Sequence, residues 1–213
     1  MEYVKLERCS KRFDNQPVLK EISYSFFTGG YCISGENGSG KSTLLKMMMG
    51  LILPDTGQVT VITEKSDHLS TTVKSQIGYM FASERTLYYK LTARENLEMM
   101  GSIYGMKAEK LKERVGEVLK LVELEDNKKY IETYSTGMKK RLMLARAILH
   151  NPKVLFLDEP YSGLDESGCQ LLTQILENEV NNGKCVIVVS HQLGYIPSHW
   201  KQLSIKEGEL CSG

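Results

Sequence analysis

Residues 35–43, Gly35-Glu36-Asn37-Gly38-Ser39-Gly40-Lys41-Ser42-Thr43, have the types and spacing to grip a polyphosphate. The glycines let the backbone curl until successive N–H groups point at one anion. A helix starting at Lys41 adds the positive end of its dipole to the same cradle. From that position Lys41 has the reach for β- and γ-phosphates, and the Ser42 hydroxyl can ligate Mg²⁺. A glycine-rich turn alone is common. This spacing between a short apolar strand, Tyr31–Ser34, and a helix, Lys41–Met49, predicts a nucleoside triphosphate site.

A second group of candidates ends two apolar runs farther along. Asp158 and Glu159 follow Val154-Leu155-Phe156-Leu157. An Asp at the end of a buried parallel strand is costly unless a cation or hydrogen bonds meet it. Mg²⁺ held by Ser42 and the phosphates would supply that compensation, so Asp158 reads as a metal partner. Glu159, one residue nearer the γ-phosphate, is placed to polarise an attacking water. His191 follows Val186-Ile187-Val188-Val189-Ser190. For an isolated His the plainer reading is a hydrogen-bonded strand end, but here the strand should finish on the same sheet edge as Glu159, where an imidazole can contact the γ-phosphate. His68, His150 and His199 have no such placement and read as structural.

The elements that must position these residues follow from periodicity. Val4-Lys5-Leu6-Glu7 alternates like a half-buried strand, Val18–Phe27 reads as another, and Val59–Ile62 and Ile77–Met80 as two more. Thr92–Leu124 has a helical texture, with Leu111, Val115, Val118, Leu119 and Val122 on one apolar stripe that is packing rather than chemistry. Met138–Leu149 predicts a helix, as do Leu171, Leu172, Ile175, Leu176 and Val180 before the Asn182-Gly183 stop. Val154–Leu157 and Cys185–Val189 are continuously apolar, the pattern of strands buried on both faces. Strands alternating with helices imply an α/β fold with a parallel sheet and ligands at its carboxyl edge. Lys128-Lys129 reads as a solvated surface patch.

Composition narrows the partners. The 213 residues suit a single domain. Lys and Arg total 27 against 26 Asp and Glu, a net charge of +1, which gives no long-range pull toward nucleic acid or an anionic membrane. No apolar run approaches the roughly 18–20 residues of a membrane span, and Met1-Glu2-Tyr3-Val4-Lys5 carries no signal-peptide pattern. The 5 cysteines, Cys9, Cys32, Cys169, Cys185 and Cys211, lack C-x-x-C spacing and read as reduced thiols, several of them in strand-like runs. These features predict a soluble, intracellular chain.

Taken together, Gly35–Thr43, Tyr134-Ser135-Thr136-Gly137-Met138, Leu155–Pro160, Ser162-Gly163-Leu164-Asp165 and Ser190-His191 resemble the nucleotide-binding subunit of an ATP-binding-cassette (ABC) transporter, in that family's order from Phe13 to His191. The resemblance implies an α/β P-loop NTPase, a RecA-like core with an antiparallel β part, and a helical subdomain over about 86–136, all within one cassette, 1–213. It implies an ATPase with ATP and Mg²⁺ as cofactors, Lys41, Glu159 and His191 as catalytic residues, and Ser42 and Asp158 at the metal. Phe13 matches the aromatic that stacks on adenine, with a buried strand-end Phe as its plain alternative. Tyr134–Met138 resembles the signature Leu-Ser-Gly-Gly-Gln, matching at Ser135 and Gly137 and departing at Tyr134, Thr136 and Met138. Read without the family it is a helix N-cap; in the family it serves the nucleotide of the other subunit. The likeness therefore implies a second cassette, identical or different, and a separate integral membrane permease that holds the chain at the cytoplasmic face. Asp165 resembles the loop that crosses between subunits.

One departure stands out. The family places a Gln after the strand Ile77–Met80, whereas here the run is Phe81-Ala82-Ser83-Glu84-Arg85, leaving Ser83 or Glu84 for that role. With the variant signature, this resembles cassettes of exporters for drugs, peptides or polymers. Two other classes remain open on sequence. A GTPase or small-molecule kinase is mimicked by Asp165-Glu166-Ser167-Gly168, but Asn127-Lys128-Lys129-Tyr130 lacks the Asp that reads guanine, and the span from Lys41 to Asp158 is long for a compact switch protein. A cassette ATPase acting on DNA or ribosomes usually has paired cassettes or coiled coils, and no sustained heptads occur here.

Overall fold

The computed structural model describes residues 1–212, apart from the Arg85 side chain. An antiparallel sheet is built on β1 (Glu2–Phe13), which pairs with β2 (Gln16–Phe27) on one side and with β4 (Thr56–Val61) on the other; β4 pairs with the short β5 (Glu64–Lys65). β1 runs beyond the expected Val4–Glu7 because register shifts along β2 let it continue to Phe13.

The second sheet runs in the order β10 (Glu209–Ser212), β9 (Lys201–Lys206), β3 (Gly29–Gly35), β8 (Cys185–Val189), β7 (Val154–Asp158), β6 (Ile77–Met80). Its pairs are parallel except β10, which turns back on β9. β7 and β8 are buried along their whole length, as their continuous apolar runs predict. Their side chains alternate between two cores. Val154, Phe156, Ile187 and Val189 join the antiparallel sheet and α1 (Lys41–Met48) on one face. Leu155, Leu157, Val186 and Val188 meet the helices on the other.

That second face is covered by α3 (Ala93–Ile103), α4 (Ala108–Leu121), α5 (Thr136–Ile148) and α6 (Glu166–Asn181), while the single-turn α2 (Thr71–Lys74) precedes β6. The stretch expected as one helical region, Thr92–Leu124, is broken between α3 and α4. Gly105 takes φ +74°, and the N–H groups of Gly105 and Met106 close on Ser102 O and Gly101 O. That left-handed closure ends a helix cheaply only at glycine. α3 begins on a capping box, in which Thr92 Oγ1 accepts from Glu95 N and the Glu95 carboxylate accepts from Thr92 N at 2.7 Å. The stripe Leu111, Val115, Val118, Leu119 and Val122 is buried, as expected.

Strand register places the chemistry. Ile33 lies opposite Val189, and Val189 lies opposite Asp158. The residues that follow, Gly35, Glu159 and His191, therefore leave the sheet along a single edge, the carboxyl edge where parallel sheets bind ligands.

Candidate nucleotide-binding and hydrolytic site

β3 hands the chain to the phosphate loop at Gly35, φ +148°, where an added Cβ would lie 2.7 Å from Ile205 O and 2.8 Å from Ser39 Oγ. Only glycine fits that approach. Gly38 and Gly40 also take positive φ, +82° and +103°. Gly40 is the N-cap of α1 and supplies no side-chain cap, and no acidic residue occupies the first turn. The first N–H groups of α1 are thus left for an external anion. Ser39 Oγ is buried without a hydrogen-bond partner among the described residues, a donor whose burial is compensated once phosphate arrives. Lys41 folds inward, its Nζ donating to Gly35 O at 2.9 Å and to Glu36 O at 2.8 Å. Glu36, Asn37 and Ser42 are exposed, and Thr43 is half-buried.

Asp158, at the end of β7, accepts from Ser42 Oγ at 3.2 Å. Burial pushes its carboxyl above the usual carboxylate range, opposed by the Ser42 hydrogen bond. A cation beside this pair would favour the charged form. Together with the partnerless Ser39 hydroxyl, the donor set is oxygen-only and fits a hard divalent ion shared with phosphate. Glu159 sits in the left-handed region, φ +47°, with its N–H on Val189 O at 2.8 Å. Its Oε2 accepts from His191 Nδ1 at 2.8 Å and from His191 N at 3.4 Å. The structure therefore brings Glu159 and His191 into direct contact beside the Ser42–Asp158 pair.

The remaining candidates lie apart. Ser135 is exposed and caps α5, accepting from Met138 N at 3.2 Å. Gly137 sits near Leu164, and no hydrogen bond among the described residues joins either one to the phosphate loop. Phe13 is 44 % exposed rather than buried at the end of β1, with Lys11 Nζ 5.5 Å over its ring. The antiparallel sheet does abut the loop, since a Cβ on Gly40 would meet Leu19 and Val18 of β2. Asp165 is the N-cap of α6, its carboxylate accepting from Gly168 N at 2.8 Å. That local cap accounts for the D-x-x-G pattern without a guanine-nucleotide switch. Glu84 faces Lys139 at 3.8 Å. Away from the site, His68 is exposed, His199 pairs with Glu177 at 3.1 Å, and His150 Nε2 meets Ile77 O at 3.0 Å.

Sequence reasoning overlooked Lys140. This lysine is 3 % exposed, and its Nζ donates to Ala82 O at 3.1 Å and to Glu159 O at 3.4 Å. A signal existed: Lys140 shares the helical stripe of the buried Leu144, Ala147 and Ile148, so a charge there needs partners.

Comparison with known proteins accords with this geometry. A family model described as ABC transporter matches residues 19–162. The ABC transporter ATP-binding protein NatA of Bacillus subtilis (strain 168) is 32 % identical over 194 residues, which is 88 % of this chain and 79 % of that protein. The Nod factor export ATP-binding protein I of Rhizobium sp. (strain N33) is 33 % identical over 190 residues, 88 % of this chain and 62 % of that one. A solved dimeric ATP-binding cassette in a post-hydrolysis state, bound to ADP and Pi, superposes with TM-score 0.88 at 29 % identity, covering 97 % of this chain and 96 % of its own. With a phosphate loop and a carboxylate–histidine pair on one sheet edge, and relatives of this kind, the chain belongs to the ABC transporter family, as an ATP-binding subunit with the P-loop ATPase fold.

Proposed function

We propose that this subunit pairs with a second cassette over two Mg-ATP, hydrolyses them, and so drives a separate membrane permease in the direction of export. The observation that carries the hydrolytic assignment is the 2.8 Å contact between Glu159 Oε2 and His191 Nδ1, beside Ser42 and Asp158.

In this reading residues 35–43 bind the polyphosphate through backbone N–H groups and the Ser39 hydroxyl, and Lys41 exchanges its loop carbonyls for β- and γ-phosphate oxygens. Phe13 offers its exposed ring to the adenine. Ser42 and Asp158 would hold Mg²⁺, whose chemistry is to neutralise charge on the phosphates. Glu159 accepts a hydrogen bond from the attacking water and raises its nucleophilicity, while His191 keeps that carboxylate in register with the γ-phosphate. Most of the rate gain is electrostatic positioning.

The need for a second cassette rests on Ser135 and Gly137. They stand at the N-terminus of α5, exposed or half-buried and away from their own phosphate loop, yet a helix N-terminus with a hydroxyl is built to meet phosphate. A second copy laid head to tail supplies that phosphate, and the solved relative is itself dimeric. Asp165 then lies at the seam. The helical subdomain, about 86–136, is the part that moves against the core.

The permease is inferred from the relatives, which are named as transporter and export ATP-binding proteins; no helix among the described residues is long and apolar enough to cross a membrane. Its docking site on this chain is a groove of about 990 Å³ lined by Leu51, Leu69, Tyr79, Phe81 and Ile103, where Leu51 and Ile103 are 60 % and 66 % exposed. Unpaired apolar surface of this kind marks an interaction site, and its occupant in this reading is a short segment on the permease's cytoplasmic side. Export is the direction named for the Rhizobium relative. The near-zero net charge gives no support to nucleic acid as a partner.

Equilibrium binding of a fluorescent ATP analogue tests the nucleotide site. Lys41→Ala should weaken binding by about a hundredfold, the scale of losing one preorganised cation on phosphate. Affinity within twofold of the parent would remove Lys41 from the site.

A further inference from the structure

Lys140 is a cation on the buried stripe of α5, and burial pulls its ammonium below the ordinary lysine range against the pull of Glu84, Asp158 and Glu159. A charge in that position is tolerated when its donors are satisfied. Both of the carbonyls that satisfy it belong to the site. Ala82 lies in the run after β6 where the expected Gln is missing, and Glu159 is the proposed water-polarising residue.

The Glu159 peptide needs holding. Its φ of +47° is one that a residue with a Cβ adopts only when its surroundings enforce it. Pro160 follows, so the next peptide offers no N–H to help fix the turn. What fixes it is Val189 O on the Glu159 N–H, His191 on the carboxylate, and two donors on the carbonyl, Ser162 N at 3.3 Å and Lys140 Nζ at 3.4 Å. Lys140 is the one of these that reaches Glu159 from a helix outside the sheet. It also joins segments far apart in sequence, since Ala82 and Glu159 lie 58 and 19 positions away.

We propose that Lys140 is a positioning residue for ATP hydrolysis: its ammonium, clamped between Ala82 O and Glu159 O, sets the Glu159 carboxylate against His191 and ties that setting to α5 and to the run after β6. The proposal rests on Glu159 being the residue that polarises water. A shift of α5, whose N-terminus carries Ser135, then moves Glu159 as well, so engagement of the signature segment and alignment of the carboxylate become one event.

Steady-state ATP hydrolysis by the full chain, normalised to folded protein by circular dichroism, tests this. Lys140→Met keeps the unbranched stem and removes the donors; kcat should fall by about tenfold or more, the scale of a small misplacement of a catalytic group, with KM for ATP within about twofold. Lys140→Gln restores N–H donors on a slightly shorter stem, and kcat should return to within about threefold of the parent. A merely structural lysine would not produce that split or that rescue. Lys140→Leu carries the same expectation as Lys140→Met should the latter not fold. If kcat stays within twofold in the apolar variants, or falls equally in Lys140→Gln, the proposal is overturned. Glu159→Gln, measured alongside, separates the two claims. Loss of turnover there with an active Lys140→Met removes only the role of Lys140, whereas full turnover in Glu159→Gln removes both.

Discussion

Lys41 rests on the carbonyls of Gly35 and Glu36, so it gives up hydrogen bonds when phosphate enters rather than rising out of solvent. Its net gain on binding is therefore the difference between two carbonyls and a polyanion, and charge-assisted bonds win that exchange. Glu159 invites the sharper experiment. Glu159→Gln keeps the shape of the side chain but gives up the carboxylate charge, so phosphate release should drop by about a hundredfold or more, the usual contribution of general-base assistance. ATP affinity should stay within about threefold, because in the proposed reading this side chain meets the attacking water rather than the phosphates. Unchanged turnover would remove Glu159 from the mechanism. Glu159, Asp158 and the phosphate loop were legible in sequence because their spacing is local and each follows an apolar run. Lys140 was not, because what makes it informative is a pair of carbonyls brought to it by folding, and the Ser39 hydroxyl became informative only once its burial could be seen.

Among the elements, the parallel strands were readable from their unbroken apolar runs, and the register of β3, β8 and β7 turned three separate strand ends into one site. β9 and β10 escaped notice. In Lys201–Lys206 only Leu203 and Ile205 are buried, a two-residue alternation too short to separate from a polar loop. Leu111 to Val122 gave the face of α4 correctly, whereas the break before it depended on Gly105, whose left-handed turn has no periodicity. The joint between α5 and β6 carries a pH dependence. His150 ends that connection with Nε2 on Ile77 O and its ring stacked 3.7 Å from Tyr104, while Nδ1 is buried with no partner among the described residues. Burial lowers its pKa to about 4, with Lys184 helping and the Ile77 bond opposing. The folded state thus prefers neutral imidazole. Its stabilisation is complete above the unfolded value near 6.5 and is lost as pH falls toward 4, on the order of 3 kcal/mol at most. Thermal melts should show Tm falling between pH 7 and pH 5, with a shallower slope in His150→Phe, which keeps the stack without the titration. An equal slope in both proteins would show that His150 does not titrate in that window.

For the whole molecule, what is unfinished matters as much as what is built. One face offers an apolar groove, the phosphate loop leaves the Ser39 hydroxyl without a partner among the described residues and α1 without a side-chain cap, and the signature segment presents the N-terminus of α5. In the proposed reading, the phosphates of a nucleotide held between this chain and a neighbouring copy would satisfy the last two together, and a membrane subunit would cover the first. The family resemblance that the ordered motifs carry implied this pairing; the geometry adds that no hydrogen bond among the described residues joins Ser135 or Gly137 to the phosphate loop of its own chain. The most direct measurement is sedimentation velocity of Glu159→Gln, the variant expected to retain ATP without consuming it, with and without saturating Mg-ATP. The expected result is a nucleotide-dependent shift from monomer to dimer that Ser135→Arg abolishes. A chain that stays monomeric at saturating Mg-ATP, even with its membrane subunit present, would contradict a nucleotide sandwiched between two cassettes.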